Sequence, residues 1–394
     1  MIIRQAGMPA IEAFRLDMRE WLEASCPASM RKPFLPGEEV WGGRRRTFPS
    51  DDARVWFERC VERGYTVPAW PREYGGAGMT RQESRVLDEE MRALGCRSPL
   101  VSFGIWMLAP VLFEFASDDQ KTEHLPPIGR GEIRWCQGYS EPGSGSDLAS
   151  LSTRAVRHGD HYVVDGAKVW TSHADQSDWM FCLVRTDSDG PKHDGISFLL
   201  IDMTTPGITT RPIPLISGSS PFCETRFDGV RVPAGNLVGR EGGGWQIAKK
   251  LLEHERSIIS VMRDRAPEEA ETLPAMLRRT GDPSLRDRVI QAELDFVCNR
   301  LTLERSAEAA KAGRSPGAAS SMFKLYGTEL NKRRKELRVE LAGYQGIGWD
   351  GPGFEPAELQ ITREWLRSRA NSIEGGTTEI QLNIIAKRVL GLPD

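Results

Sequence analysis

Residues Trp135–Ser172 read WCQGYSEPGSGSDLASLSTRAVRHGDHYVVDGAKVWTS. The stretch carries two chemically suggestive pieces joined by hairpin-like sequence. The first, Tyr139-Ser140-Glu141-Pro142-Gly143-Ser144-Gly145-Ser146-Asp147, is a tight polar loop. Pro142 fixes one backbone angle, and Gly143 and Gly145 permit left-handed or close-approach geometry. Such a loop exposes N–H groups and hydroxyls, which suits a phosphate or a polarised carbonyl. Its Gly-Ser-Gly is not a dinucleotide fingerprint, because no helix pattern follows at the required spacing. On local features alone it reads more readily as a Ser/Gly surface loop. The second piece, Lys168-Val169-Trp170-Thr171-Ser172, ends a predicted strand and sets a large flat ring beside two hydroxyl donors. That arrangement suits a flat aromatic cofactor.

Around this stretch the hydrophobic period is that of strands. Thr153–Arg157, His161–Val164, Ala167–Thr171, Trp179–Arg185, Ile196–Asp202 and Glu224–Val232 are short runs rich in β-branched and aromatic residues. Asp165-Gly166 and similar pairs separate them as turns, so the middle of the chain reads as a small β-barrel or sandwich. On either side the period is helical. Residues 10–24 carry Ile11, Phe14, Met18, Trp21 and Leu22 on one face. Asp51 or Asp52 can cap the next helix. Residues 27–50 read as an extended excursion, with Arg44-Arg45-Arg46 a solvated face. Another helix spans 81–94. Residues 100–116 are apolar almost all round and should be buried, with a kink or break at Pro110. From Trp245 helices return, notably Leu285–Lys311 and Ala318–Leu341, and Thr378 with Gln381 has the form of a capping box.

The 394 residues suffice for two or three domains with a sizeable core. A net charge of −3 argues against nucleic acid or an anionic membrane as the main partner. Seven cysteines stand singly with no CxxC pair, which reads as reduced thiols in a cytoplasmic protein and not as a zinc site. The N-terminal residues lack the apolar core of a signal peptide, and Leu100–Ala116 is too short to span a bilayer.

SEPGSGSD followed by KVWTS resembles the middle domain of the acyl-CoA dehydrogenase family. The turn Val67–Gly78, the NLVG turn at Asn236–Gly239 and the terminal GGTTEIQLNIIAKRVLGLP resemble the same family, so the likeness covers nearly the whole chain. It implies an α+β, mainly α fold: an N-terminal helical domain (1–134), a middle β-barrel or sandwich domain (135–240) and a C-terminal four-helix-bundle domain (241–394). It also implies FAD-dependent dehydrogenation of an acyl-CoA thioester, in fatty acid or side-chain β-oxidation. Electrons would pass to an electron-transfer flavoprotein, and the chain would work in a homo- or hetero-oligomer built as a dimer of dimers. Such chemistry needs a base for the α-proton, an acceptor for the β-hydride and hydrogen bonds to the thioester carbonyl. No side chain accepts hydride, so a cofactor must.

By register with the family, Gln137, Tyr139, Ser140, Trp170, Thr171 and Ser172 would surround the flavin ring, and Ser146 would meet the CoA. Thr377 and Glu379 would reach the ribose or diphosphate region of the flavin, and Gly343 and Gly346 would let backbone approach it from a neighbouring subunit. Glu141 would hold the loop from which Ser140 projects. Many members carry the base as a Glu directly before the Gly-Thr of the C-terminal motif, where this chain has Gly375, with Glu374 one residue earlier. Others place it before an Arg on the first helix of the last domain. That register assigns the base to Glu255, with Arg256 beside the substrate; Glu253 reads as a surface residue and His254 as structural. An Arg…Phe-Gly motif that grips FAD across a homodimer is replaced here by Met276–Pro283. A paired large and small subunit arrangement would account for that departure. Two rival readings keep the fold: a flavin oxidase or monooxygenase, and a non-catalytic subunit completing a partner's site. A subunit of the latter kind would have lost the base and the aromatic wall, whereas this chain retains Glu255 and Trp170-Thr171-Ser172.

Overall fold

The computed structural model describes residues 10–32, 37–252, 271–311 and 317–393. They fall into two compact units: the N-terminal helices with the sheet and the helix that follows it, and the C-terminal helices with the 213–221 segment.

In the first unit, α1 (Ala10–Ser25) buries Met18 and Leu22, and α2 (Asp51–Glu62) buries Trp56, Phe57 and Cys60. The cap of α2 is Ser50, whose hydroxyl accepts from the Ala53 N–H at 3.1 Å. Asp51 and Asp52 lie instead in the first turn, where their charge suits the helix dipole. α3 (Arg81–Ala93) buries Glu90, which is tied to α1 by Arg15 and Arg19, each at 2.8 Å. The apolar run beyond it is helical from Phe103 and begins with a π-helical turn, Gly104–Leu108, before α4 (Ala109–Phe115). The break thus precedes Pro110, which sits in the first turn of α4, where a missing N–H is tolerated. α5 (Asp118–Gly129) opens with a Ser117/Gln120 capping box.

The middle of the chain is a seven-stranded mixed sheet: β1 (Trp135–Gly138), β2 (Arg154–His158), β3 (His161–Ser172), β4 (Trp179–Arg185), β5 (Ile196–Asp202), β6 (Ile208–Ile213) and β7 (Phe222–Pro233). The path is β1-β4-β2-β3-β7-β6, with β5 on β4. β4 shows why it is buried on both faces. Phe181 and Leu183 enter a core shared with α4, α5 and the helix at 244–252 (α6), while Met180, Cys182 and Val184 enter a second core made within the β-domain. Asp165-Gly166 is not a turn: β3 runs straight through it, and the pairing with β7 shifts register there. β1 and β6 are strands that periodicity did not reveal. The Arg44–Arg46 run is exposed but anchored: Arg44 pairs with Asp202 at 2.9 Å, and Arg46 lies over the Phe57 ring at 4.9 Å.

In the second unit, α7 (Leu273–Thr280), α8 (Arg286–Lys311), α10 (Pro356–Ser368) and α11 (Thr378–Ile384) all pack on α9 (Ser320–Ala342). α11 is capped by Thr377, which accepts from the Ile380 N–H at 3.3 Å. The expected Thr378/Gln381 box therefore begins one residue too late, and the Gln381 amide turns back to the Gly375 carbonyl at 3.3 Å.

Candidate active site

The fold brings the two pieces of the central stretch together. The Val169 N–H donates to the Ser140 carbonyl at 2.8 Å. One residue earlier, the Lys168 ammonium is fully buried and reaches Glu141 Oε1 at 2.8 Å and the Tyr139 carbonyl at 3.2 Å. Glu141 Oε1 also accepts from the Thr153 N–H (2.9 Å), and Oε2 accepts from the N–H (2.7 Å) and hydroxyl (2.9 Å) of Ser152. Burial pushes the Glu141 carboxyl up, but the Lys168 charge and these hydrogen bonds outweigh it and hold the group at about 2. Glu141 and Ser144 also exchange backbone hydrogen bonds at 2.9 and 3.0 Å, closing the loop. Glu141 is therefore placed to hold the loop of Ser140.

Lys168 is the residue that sequence reasoning missed. A signal existed: in β3 it shares an alternating face with Tyr162 and Val164, both buried, and a lysine at such a position needs a partner.

After Lys168 the β3–β7 pairing breaks and resumes at Thr171. Trp170 sits in that break with φ of 61°, a left-handed conformation uncommon for a bulky residue. The consequence is an indole 54% exposed, met edge-on by Phe222 at 6.2 Å. Strain that presents a large apolar ring to solvent is a signature of functional sites. Ser140, Ser172 and Gln137 are half-buried, and Ser146 is exposed at the loop tip.

Two expected ring contacts are placed otherwise. The Thr171 hydroxyl points into the β-domain, donating to the Cys223 carbonyl at 2.7 Å and lying 2.9 Å from Thr225 Oγ1. The register break turns its side chain inward while Trp170 turns outward. The Tyr139 ring is buried against Phe181, and its carbonyl faces Lys168. A flat conjugated group fits the remaining face, where an exposed indole lies near half-buried serine hydroxyls.

In the second unit, Thr377 caps α11 and Glu379 is exposed on its first turn. The Glu379 carboxyl is held below its usual range by its own backbone N–H and the Thr377 hydroxyl. Gly343 ends α9 with φ of 58° in open space. Gly346 has a packing reason of its own: a Cβ there would lie 2.5 Å from the Val339 carbonyl. Glu374, the other carboxylate near the terminal motif, is engaged by Arg367 at 2.7 Å and by Asn371. Within the Met276–Pro283 segment, Arg279 pairs with Glu271 at 2.9 Å and α7 ends at Gly281. Glu253, His254, Glu255 and Arg256 lie outside the described residues. Among the described residues no group of metal-ligating side chains is assembled, and no helix is long and apolar enough to cross a membrane.

Family models match along the chain: acyl-CoA dehydrogenase N-terminal domain at residues 12–132, middle domain at 136–230 and C-terminal domain at 242–390. The acyl-CoA dehydrogenase IpdE1 of Mycobacterium tuberculosis is 35% identical over 98% of this chain and 99% of its own length. Among solved structures, the Tcur3481-Tcur3483 steroid ACAD is 30% identical with a TM-score of 0.77, covering 100% of both chains. The ChsE4-ChsE5 complex of Mycobacterium tuberculosis is 28% identical with a TM-score of 0.70, again covering 100% of both.

Proposed function

The chain belongs to the acyl-CoA dehydrogenase family, flavin-dependent oxidoreductases acting on CH–CH bonds, and from that premise we propose that it α,β-dehydrogenates an acyl-CoA thioester with FAD. The observation that carries this reading is the face made by Ser140, Trp170 and Ser172, where the two motifs are joined by the Val169–Ser140 hydrogen bond. When bound, FAD would supply the acceptor for the β-hydride and pass the electrons to an electron-transfer flavoprotein. Trp170 offers its indole to one side of the ring. Ser140 and Ser172 offer hydroxyls, Gln137 its amide, and Tyr139 and Thr171 backbone groups only. Ser146, at the exposed loop tip, takes the CoA side. Thr377 and Glu379 serve the ribose–diphosphate end, which Gly343 and Gly346 let backbone approach from a neighbouring subunit.

Glu255 is the base that takes the α-proton, with Arg256 beside the substrate. A carboxylate in a dry pocket acquires the near-neutral pKa this step needs. The alternative, Glu374, is engaged by Arg367 and Asn371, which disfavours it. By the family register we put the domain boundaries at 134/135 and 240/241. The steroid enzyme among the structural relatives favours a bulky, ring-bearing acyl group. The two-component names of both structural relatives favour a hetero-oligomer, which would also account for the missing Arg…Phe-Gly motif. The balanced charge and scattered cysteines favour the cytoplasm.

The test is the visible spectrum of the purified protein before and after anaerobic addition of a panel of acyl-CoAs. A flavin band that bleaches with one of them supports the reading and names the substrate class. A bound flavin that no acyl-CoA reduces, in Glu255-intact protein, sinks it.

A further inference from the structure

We propose that Lys168 is a positioning residue for the flavin: through Glu141 it locks the Ser140 loop and the Trp170 turn at one spacing, so that two separate motifs present a single face. The inference rests on the reading of that face as the flavin site.

The geometry carries it. Lys168 has no solvent exposure, and among the described residues its ammonium donates to the loop opposite, at Glu141 Oε1 (2.8 Å) and the Tyr139 carbonyl (3.2 Å). Glu141 in turn gathers Ser152 and Thr153, so one buried ion pair joins three segments of the chain. A buried pair is a poor way to gain stability, since apolar residues of equal volume generally do as well. What a charged pair supplies is register, because segments that drift apart leave two unpaired charges in a dry interior. The chain passes from Lys168 to Trp170 in two residues, with Val169 pinned to Ser140 between them. No slack remains between the ammonium and the strained indole, whose φ of 61° needs surrounding support.

The test uses the holoenzyme and the Lys168→Met, Glu141→Gln and Lys168→Met/Glu141→Gln variants, each stripped of flavin and titrated with FAD by fluorescence quenching. Lys168→Met leaves a carboxylate buried without its cation, so FAD affinity falls at least about tenfold at neutral pH. The deficit shrinks as the pH is lowered towards about 5, where the unpaired carboxyl takes up a proton. Wild type shows no such recovery, because Lys168 keeps Glu141 ionised down to about 2. The double variant removes both charges and so loses the pH dependence, but it regains only part of the FAD affinity because no ion pair then sets the spacing, and full recovery would overturn the inference; it also guards against a single variant that does not fold. A merely structural role predicts lowered melting temperature with unchanged FAD affinity and band shape in every folded variant, and that result overturns the inference. Wild-type protein with no affinity for FAD would instead bring down the flavin reading itself, and this inference with it.

Discussion

Replacing Gly166 by Ala should destabilise the first unit far more than the same change at Gly159. Both glycines have positive φ, 146° and 64° respectively. At Gly159 an added Cβ meets nothing within 4 Å, so the cost is the backbone's alone, about 1–2 kcal/mol. At Gly166 the Cβ would lie 2.7 Å from Thr153 Cα and 2.9 Å from its Cβ. Backbone on that side cannot swing away as a flexible side chain would. A conformational cost of about 1–3 kcal/mol is joined by an overpacking cost of about the same size, roughly 2–6 kcal/mol together. The consequence extends to the site, because the Thr153 N–H holds Glu141 at 2.9 Å. Thermal unfolding at a fixed scan rate, followed by near-UV circular dichroism, compares the two variants. At roughly 2–4 °C per kcal/mol, Gly166→Ala should melt several degrees below Gly159→Ala. Flavin fluorescence should rise in the Gly166 variant only, as Ser140 and Trp170 separate. Equal melting temperatures for the two variants would refute the close approach of β3 to Thr153 and the account of the bulge built on it.

Glu255→Gln should retain bound flavin yet lose its reduction by acyl-CoA; stopped-flow reduction at the wild-type rate would move the base to Glu374. Glu141 bears on acid stability. Its folded-state pKa of about 2 lies below the ordinary 4.5, so its contribution is full above about pH 4.5 and is lost as pH falls through 2. That contribution is on the order of 3 kcal/mol, and a Glu141→Gln variant should show a correspondingly shallower acid limb in denaturant titrations across that window. Thr377→Ala removes the cap of α11 and should cost about 1 kcal/mol, whereas Thr378→Ala should cost less; a reversed order in urea unfolding would restore the cap to Thr378. Reduced enzyme should react slowly with oxygen if it is a dehydrogenase, and rapid stopped-flow reoxidation with peroxide release would favour the oxidase reading.

Much of the fold was legible because burial imposes its period on the residues. Trp179–Arg185 and Ile196–Asp202 are strands with the bounds their β-branched and aromatic runs suggested. β1 and β6 escaped notice because four residues, or six including Pro212, are too few to establish an alternation. The helix caps were misjudged by one residue, since Ser50 and Asp51, or Thr377 and Thr378, are equivalent in kind. Only the direction of the incoming backbone decides which hydroxyl meets the N–H three residues on. Asp-Gly at 165–166 carries the same local signal for a turn and for a bulge, and the approach of Thr153 selects the bulge.

The amino-acid order alone determined the helix–strand–helix succession and the chemistry available in SEPGSGSD and KVWTS, because periodicity and side-chain type are local properties. Which of those side chains turn inward and which outward was decided only by tertiary structure. Thr171 turns inward and Trp170 outward because the pairing of β3 with β7 breaks between Lys168 and Thr171. Lys168 finds Glu141 because separate segments fold together around a charge that could not otherwise be buried.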